Sequence, residues 1–245
     1  MNTFLQSTGF TAHDLIAVAF FMVAWCSHHW IVNFSPWYGN TISASMSVFR
    51  DRWMNNMVYR DPKMPDTLIQ NTLQYGVLFF ASTSILLIGA LVAGLGASDE
   101  AIKILRDLPF VVSTTRAAWD IKVLMVIFIF TFAFFKFAWS YQLFNYVLIM
   151  IGAAPDISVI ATKQQDVGID MDDYASRVGQ LHTLGARHFT TGLNSYFFAM
   201  AAITWFLSPL LFIGATIWVS VVLYRRAFRS NFGRILTGIE GLDPR

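Results

Sequence analysis

Long apolar segments alternate with shorter polar connections along this chain. Three of them cover residues 15–32, 75–96 and 123–151, and two more, 193–207 and 210–224, flank a Ser-Pro pair. A helix of about 20 apolar residues crosses the ~30 Å hydrocarbon core of a bilayer. The pattern therefore predicts an all-α fold, that of a polytopic helical membrane protein.

The distribution of Lys and Arg decides whether residues 193–224 form one kinked span or two. Cytoplasmic loops of membrane proteins are enriched in Lys and Arg. With five spans and an outside N-terminus, 12 of these residues lie inside and 4 outside, whereas four spans give 7 against 9. We therefore predict about five transmembrane helices, N-out and C-in, in a single helical membrane domain over residues 1–245. Residues 1–14 contain no Lys or Arg, so we expect the first span to be retained.

Further helical features lie outside or at the ends of these spans. Met46, Phe49, Trp53 and Met57 recur at helical spacing among polar residues. This favours a helix that lies on the cytoplasmic membrane surface, or one that packs on a partner loop. A second segment, 172–189, opens with acidic residues and leads into the fourth span.

Two details of the second span are also predicted. Asp66 follows a proline and is a candidate N-cap for a helix that continues into the span. Small residues four apart within the span allow another helix to approach closely. These residues form two pairs, Ala90 with Gly94 and Gly89 with Ala93.

Composition supports the membrane assignment and excludes some classes of function. Hydrophobic residues make up 56% of the 245 residues and charged residues 13%, against roughly a quarter charged in soluble domains. The one cysteine, Cys26, excludes an internal disulfide framework. No basic patch stands apart from the predicted spans, so we predict no nucleic-acid partner.

Several stretches resemble a known family. They are FFASTSILLIGAL at 79–91, DLPF at 107–110, FFKFAWSYQLFNY at 134–146, IGAAP at 151–155, ARHFTTGLNSYFFA at 186–199 and WFLSPLLF at 205–212. They resemble the domain-of-unknown-function family numbered 599, small multi-spanning membrane proteins of bacteria with relatives in plants. The resemblance covers nearly the whole chain after residue 40. It implies a helical membrane fold and carries over no activity and no catalytic residue. We expect a multi-pass protein of a bacterial inner (cytoplasmic) membrane.

Lys136 lies within the otherwise apolar segment 123–151 and is the first candidate for function. A lysine at the bilayer centre costs at least ~2.5 kcal/mol on insertion scales, so it usually faces the bundle. One interpretation is an anion, lipid-headgroup or proton site, and the other is a lysine satisfied by hydroxyls and carbonyls or snorkelling to the interface. The hydroxyl groups that could accompany it belong to Ser82, Thr83, Ser84 and Ser140.

Four histidines are weak candidates for a metal or haem site. His28 and His29 end the first span, and His182 and His188 precede the fourth, which places all four near the predicted cytoplasmic face. However, His182 and His188 are six residues apart and do not share a helix face. We predict no cofactor.

The charged residues outside the spans have simpler explanations. Asp166, Asp170, Asp172 and Asp173 lack the terminal bidentate Glu of an EF-hand, and acids at a helix start explain the last two. Five arginines, two in the predicted surface helix and three just beyond the last predicted span, are candidates for contacts with anionic lipid headgroups. They are Arg50, Arg52, Arg225, Arg226 and Arg229.

Three functions remain open at this stage. The chain has no catalytic motif, and its loops are too short for a soluble catalytic domain, so whether it is an enzyme stays uncertain. The preferred hypothesis is a non-catalytic accessory or scaffolding component of a membrane assembly. Its partners would be membrane lipids and either another membrane protein or further copies of itself. The alternatives are a small transporter or channel that uses Lys136, and a haem or metal redox protein that uses the histidines.

Overall fold

A computed structural model describes residues 10–34, 41–106, 115–155 and 170–228. Its secondary structure is helical, with no strand in the described residues, which confirms the all-α prediction. The α-helices are α1 Ala12–Phe34, α2 Ile42–Val58, α3 Met64–Gly96, α4 Ser98–Arg106, α5 Arg116–Ala153, α6 Met171–Ile203 and α7 Pro209–Phe228. A single 3₁₀ turn, Thr204–Phe206, follows α6.

Four of the described helices are long and apolar enough to cross a membrane, by length and composition. They are α1, α3, α5 and α7. Residues 193–224 are divided between α6 and α7, as a five-span arrangement requires. The crossing of α6 and the N-out, C-in orientation stay predictions.

The longest helices extend beyond the thickness of a membrane. α3 has 33 residues, α5 has 38 and α6 has 33. At 1.5 Å per residue they are about 50 to 57 Å long, against a hydrocarbon core of ~30 Å. In α3 and α6 the first turns are polar, and the apolar residues follow. Part of each helix therefore lies outside the hydrocarbon layer.

The helices form two compact units. Unit 1 is drawn from Met1–Ser35, Ser82–Phe135 and Thr191–Arg226, and unit 2 from Pro36–Ala81, Lys136–Thr190 and Ala227–Arg245. Four of the described helices, α3, α5, α6 and α7, contribute residues to both units. Whether the chain is one domain over residues 1–245 stays a prediction.

Unit 1 has an aromatic core that includes the end of α6. The ring of Phe21 lies 5.8 Å from that of Phe198 and 5.0 Å from that of Phe212. Trp205 donates from its indole to Asp14 Oδ1 at 2.8 Å, and its carbonyl accepts from Lys122 Nζ at 3.1 Å. The last turns of α6 are thus packed against α1, α5 and α7. A helix shielded in this way needs fewer apolar residues than a helix that faces lipid.

Unit 2 contains α2, whose helical prediction is confirmed. Thr41 caps its start, because the hydroxyl accepts from the backbone N–H of Ala44 at 3.2 Å. Its fully buried residues, Met54, Met57 and Val58, pack with residues of α5 and α6. The apolar side of α2 therefore packs within unit 2.

Asp66 does not cap α3, so that prediction was wrong. The helix begins at Met64, which places Asp66 in its first turn. The carboxylate is fully buried, and its Oδ1 accepts from Trp53 Nε1 and from Arg60, both at 2.7 Å. Asp66 instead fixes the end of α2 against the start of α3.

The close helix approaches occur at other glycines than those predicted. A Cβ added at Gly89 or Gly94 would meet nothing within 4 Å. At Gly179 it would collide with the carboxylate of Asp51, and at Gly185 it would lie 2.7 Å from the ring of Phe144. These two glycines of α6 let α2 and α5 pack against it.

Candidate functional site

Unit 2 contains a cavity of about 510 Å³ between α2, α3, α5 and α6. α2, α3 and α6 each contribute one face, since their lining residues recur at helical spacing, and α5 contributes Phe144. Most of the lining is apolar or aromatic, and we call this space the α2–α6 cavity. It is lined by Met46, Phe49, Arg50, Trp53, Ile69, Leu73, Val77, Phe144, His182, Ala186, Phe189 and Thr190.

His182 is the most unusual residue of the α2–α6 cavity. Its side chain is only 3% exposed, and its ring lies between those of Trp53, at 5.3 Å, and Phe144, at 5.0 Å. Neither ring nitrogen has a hydrogen-bond partner among the described residues. A buried polar group without a partner costs about 1–3 kcal/mol, and such groups are few in native proteins.

Burial also determines the charge of His182. It lies before the apolar part of α6, and burial lowers its pKa from 6.5 to about 3, with the charge of Arg50 acting in the same direction. The ring is therefore neutral at pH 7. A neutral imidazole offers one N–H donor and one nitrogen acceptor.

The walls around His182 are held in place by buried contacts. Trp53 is fixed by its hydrogen bond to Asp66. The ring of Phe144 fits against the backbone of Gly185, whose carbonyl accepts from Ser140 Oγ at 2.8 Å. The cavity is thus part of the packing of unit 2, built from four helices.

The α2–α6 cavity has a cationic and an apolar region. Among the described residues of its lining, Arg50 is the charged one, and none of them is Asp or Glu. At the other side, Ile69 and Leu73 of α3 are 48% and 41% exposed, so the rim there is apolar. Along α6 the lining runs from His182, in the polar part of the helix, to Phe189, next to the apolar part.

Catalysis has little support in this lining. Its hydroxyl group, Thr190 Oγ1, donates to the carbonyl of Ala186 at 3.0 Å. The described residues that line the cavity include no Cys, Ser or Lys and no carboxylate. The groups present can bind and orient a molecule. They do not include the nucleophile and adjacent base of covalent catalysis.

A second, more polar cavity of about 550 Å³ lies elsewhere in unit 2. Its lining includes Asp51, Arg177, Gln180 and Arg187. Arg177 is largely exposed and pairs with Asp173 at 2.7 Å, an arrangement typical of a solvated helix surface. Burial raises the pKa of Asp51, against the opposite effect of Arg50. We consider the α2–α6 cavity the stronger candidate because its polar group is deeply buried.

Lys136 is half-buried and lies in unit 2. The neighbouring Phe137 stacks on Phe80 of α3 at 5.6 Å and contacts Phe189 of α6 at 5.8 Å. These contacts set Lys136 within about two turns of the polar segments of α3 and α6. Lys136 therefore lies nearer the end of the apolar layer than its centre.

The predicted hydroxyl partners of Lys136 are divided between the units. Ser140 belongs to unit 2 and bonds Gly185, as described above. Ser82, Thr83 and Ser84 belong to unit 1, where Ser82 is exposed and Thr83 is half-buried. Ser84 is buried, and its hydroxyl lies 2.8 Å from that of Tyr196. The site proposed around Lys136 stays a prediction.

The other histidines have separate environments. His28 and His29 belong to unit 1, where His28 packs on Phe198 at 5.7 Å and His29 Nδ1 lies 3.1 Å from the amide of Asn33. His188 of unit 2 contacts Trp139 at 6.4 Å. In the part of the chain that the structure describes, no three His, Cys, Asp or Glu residues form a group that could hold a metal.

The acidic segment starts α6. Asp170 Oδ1 accepts from the backbone N–H groups of Asp172, at 3.0 Å, and Asp173, at 3.5 Å, so Asp170 is the capping residue. The carboxylate of Asp172 accepts from the hydroxyl of Tyr59 at 3.0 Å. Asp166 lies outside the described residues.

The candidate lipid-binding arginines differ in position. Arg50 lines the α2–α6 cavity, whereas Arg52 is exposed. Arg225 and Arg226 are exposed at the end of α7, and the guanidinium of Arg226 lies 5.8 Å from the ring centre of Phe197. Arg229 lies outside the described residues. Contacts of these residues with headgroups stay predictions.

Comparison with known proteins identifies the family of this chain. A family model described as "Protein of unknown function, DUF599" matches residues 16–232, from within α1 to beyond α7. The match starts earlier than residue 40, where the sequence resemblance begins. No curated protein and no solved structure matched the chain. Since the match covers most of the chain, this protein belongs to the DUF599 family, whose function is unknown.

Proposed function

We propose that this protein is a non-catalytic binding protein of the membrane, which holds one small amphipathic molecule in the α2–α6 cavity. The observation that carries the proposal is His182, a buried imidazole in a largely apolar cavity, neither of whose nitrogens has a hydrogen-bond partner in the part of the chain that the structure describes. Ligand sites typically have this composition, a mostly apolar lining with a few polar groups that orient the ligand.

The size of the α2–α6 cavity suits such a molecule. Its volume of about 510 Å³ lies within the ~300–1,000 Å³ typical of small-molecule sites. If the site is empty, the described residues leave both nitrogens of His182 unpaired. Each unpaired buried group lowers the stability of the folded protein by about 1–3 kcal/mol. A ligand that hydrogen-bonds the ring removes this cost, so binding and stability are coupled.

The binding function is compatible with the accessory role that the sequence favours. Large apolar side chains are exposed on α3 and α7, among them Leu86 and Trp218. In a membrane these faces contact lipid, another membrane protein or a further copy of the chain. We propose that the protein acts in a bacterial inner membrane as an accessory component whose state depends on the bound molecule.

Native mass spectrometry of the protein purified in mild detergent tests the binding function. Ala186 lines the cavity, so Ala186→Leu places three further carbon atoms in it. Ala138→Leu is the matched control, because Ala138 is also half-buried and lines neither of the unit 2 cavities described above. We expect a small molecule bound one-to-one in wild type and in the control, and its loss in Ala186→Leu. Wild-type protein that binds nothing after incubation with a total lipid extract, or equal retention in all three, would overturn the proposal.

A further inference from the structure

The lining of the α2–α6 cavity also indicates the class of its ligand, an inference that rests on the binding function proposed above. We infer that the ligand is an acidic amphiphile, with its anionic headgroup held by Arg50 and His182 and its hydrocarbon chain along the apolar lining of α3 and α6. The headgroup is a carboxylate or a phosphate, since the same two donors recognise either anion.

Charge supports an anion. Arg50 is half-buried, and the described residues that line the same cavity include no Asp or Glu. Consecutive helix residues point about 100° apart, so the adjacent Asp51 points away from the α2–α6 cavity. It lines the other cavity and contacts Gly179 of α6. A cation in an apolar site attracts a negative group far more strongly than it does in water.

The two donors also suit a headgroup with at least two oxygen atoms. The guanidinium of Arg50 presents a fork of N–H groups that matches carboxylate and phosphate oxygens. His182 adds one N–H donor from a different helix, and both of its ring nitrogens are available within the described part of the fold. Recognition from two helices fixes the headgroup at the polar side of the cavity.

The apolar part of the lining supports a hydrocarbon chain. The lining runs from the polar to the apolar segment of two helices. On α6 it runs from His182 to Phe189, and on α3 from Ile69 to Val77. The exposed side chains of Ile69 and Leu73 form an apolar rim. An amphiphile in a bilayer has the same polarity gradient, so it can enter from the membrane without exposing its chain to water.

Equilibrium binding to the full-length protein in nanodiscs tests the inference. The probes are a long-chain carboxylic acid, a lysophospholipid with a phosphate monoester, and the alcohol of equal chain length. Arg50→Gln removes the proposed headgroup contact, Arg50→Lys keeps the charge, and Arg52→Gln removes an exposed charge two residues away. We expect Arg50→Gln to weaken at least one acidic probe by roughly 10- to 100-fold, as for a lost hydrogen bond to a charged group. Arg52→Gln should change the affinity much less, and Arg50→Lys should have an intermediate effect because it keeps the charge and loses the fork of N–H groups.

The alcohol separates the possible failures. Its affinity should be lower than that of the acid in wild type and equal in wild type and Arg50→Gln, which also shows that the variant is folded. Tighter binding of the carboxylate or of the phosphate identifies the headgroup, and either result supports the inference. If the alcohol binds as tightly as both acids and Arg50→Gln changes nothing, the acidic class is wrong while the cavity still binds. If no probe binds, the proposed function itself fails.

Discussion

Replacement of His182 by Phe should stabilise the protein when its cavity is empty. Neither nitrogen of this buried imidazole has a partner among the described residues, and we propose that a ligand satisfies them. Removing the nitrogens should therefore raise the stability of the empty protein and impair binding. Most substitutions of a buried polar residue break hydrogen bonds and lower the stability, so an expected rise in stability is uncommon. The change therefore distinguishes a binding residue from a structural one.

The magnitude follows from the surroundings of the ring. Two unpaired buried nitrogens cost about 1–3 kcal/mol each, and Phe removes both. The larger ring must fit between Trp53 and Phe144, whose ring centres lie 5.3 and 5.0 Å from that of His182, and overpacking costs ~1–3 kcal/mol. The mid-range values, about 4 kcal/mol gained and about 2 kcal/mol lost, leave a net gain of about 2 kcal/mol. At ~2–4 °C per kcal/mol for a chain of this size, Tm should rise by ~4–8 °C.

Thermal unfolding of delipidated protein at one fixed scan rate measures this effect. His13→Phe is the control, because His13 is exposed and its replacement should leave Tm nearly unchanged. Added long-chain acid should raise Tm in wild type and less in His182→Phe. An unchanged or lower Tm for delipidated His182→Phe would show that the ring nitrogens are satisfied in the empty protein, and would refute the reasoning.

Two further predictions concern the same packing. First, stability should fall as pH falls from about 6.5 towards 3, because the unfolded chain binds a proton at His182 near pH 6.5 while the folded-state pKa is about 3. The slope from this one group is at most ~1.4 kcal/mol per pH unit, and unfolding titrations should show it absent in His182→Phe. Second, Gly185→Ala should destabilise the protein by ~1–3 kcal/mol, since the new Cβ would lie 2.7 Å from the ring of Phe144. At Gly152 an added Cβ would meet nothing within 4 Å, so Gly152→Ala should be neutral or stabilising by up to ~1 kcal/mol. Denaturation of both variants under one set of conditions compares them, and equal destabilisation would contradict the packing at Gly185.

Much of the fold follows from the apolar pattern. The helical segments at 15–32, 75–96, 123–151 and 210–224 were predicted and are found within α1, α3, α5 and α7. A helix that faces lipid must be apolar over about 20 residues, so its sequence marks it directly. The sequence marks α6 less clearly because other helices of unit 1 bury its last turns. Phe198 of α6 and Trp205, just after α6, both belong to the buried core of unit 1.

The depth of Lys136 shows the limit of considering one helix alone. The apolar run 123–151 is longer than a membrane requires, so its middle need not be the middle of the bilayer. Contacts of Phe137 with Phe80 and Phe189 show which parts of α3 and α6 lie beside it, and those parts are near their polar ends. Tertiary contacts, which the sequence pattern does not contain, are needed for this placement.

The α2–α6 cavity was not predicted, although its residues carry a signal. On α2, Met46, Phe49 and Trp53 were identified as one face, and Arg50 lies on that face too. Among the histidines, His182 was considered only as a ligand for a metal. The cavity depends on how α2 packs with α5 and α6, and Gly179 and Gly185 allow that packing. Helical spacing predicts the faces of single helices and leaves open which faces meet.

Photo-crosslinking tests the central claim most directly, because it locates the bound molecule. Membranes that contain the protein would be labelled with a long-chain carboxylic acid that carries a diazirine in its chain, and the modified peptides identified by mass spectrometry. We expect modification of Leu73, Val77 or Phe189, prevented by an excess of unlabelled acid and lost in Ala186→Leu. Modification confined to exposed residues such as Trp218 of α7, and unchanged by unlabelled acid, would contradict an acidic amphiphile in the α2–α6 cavity.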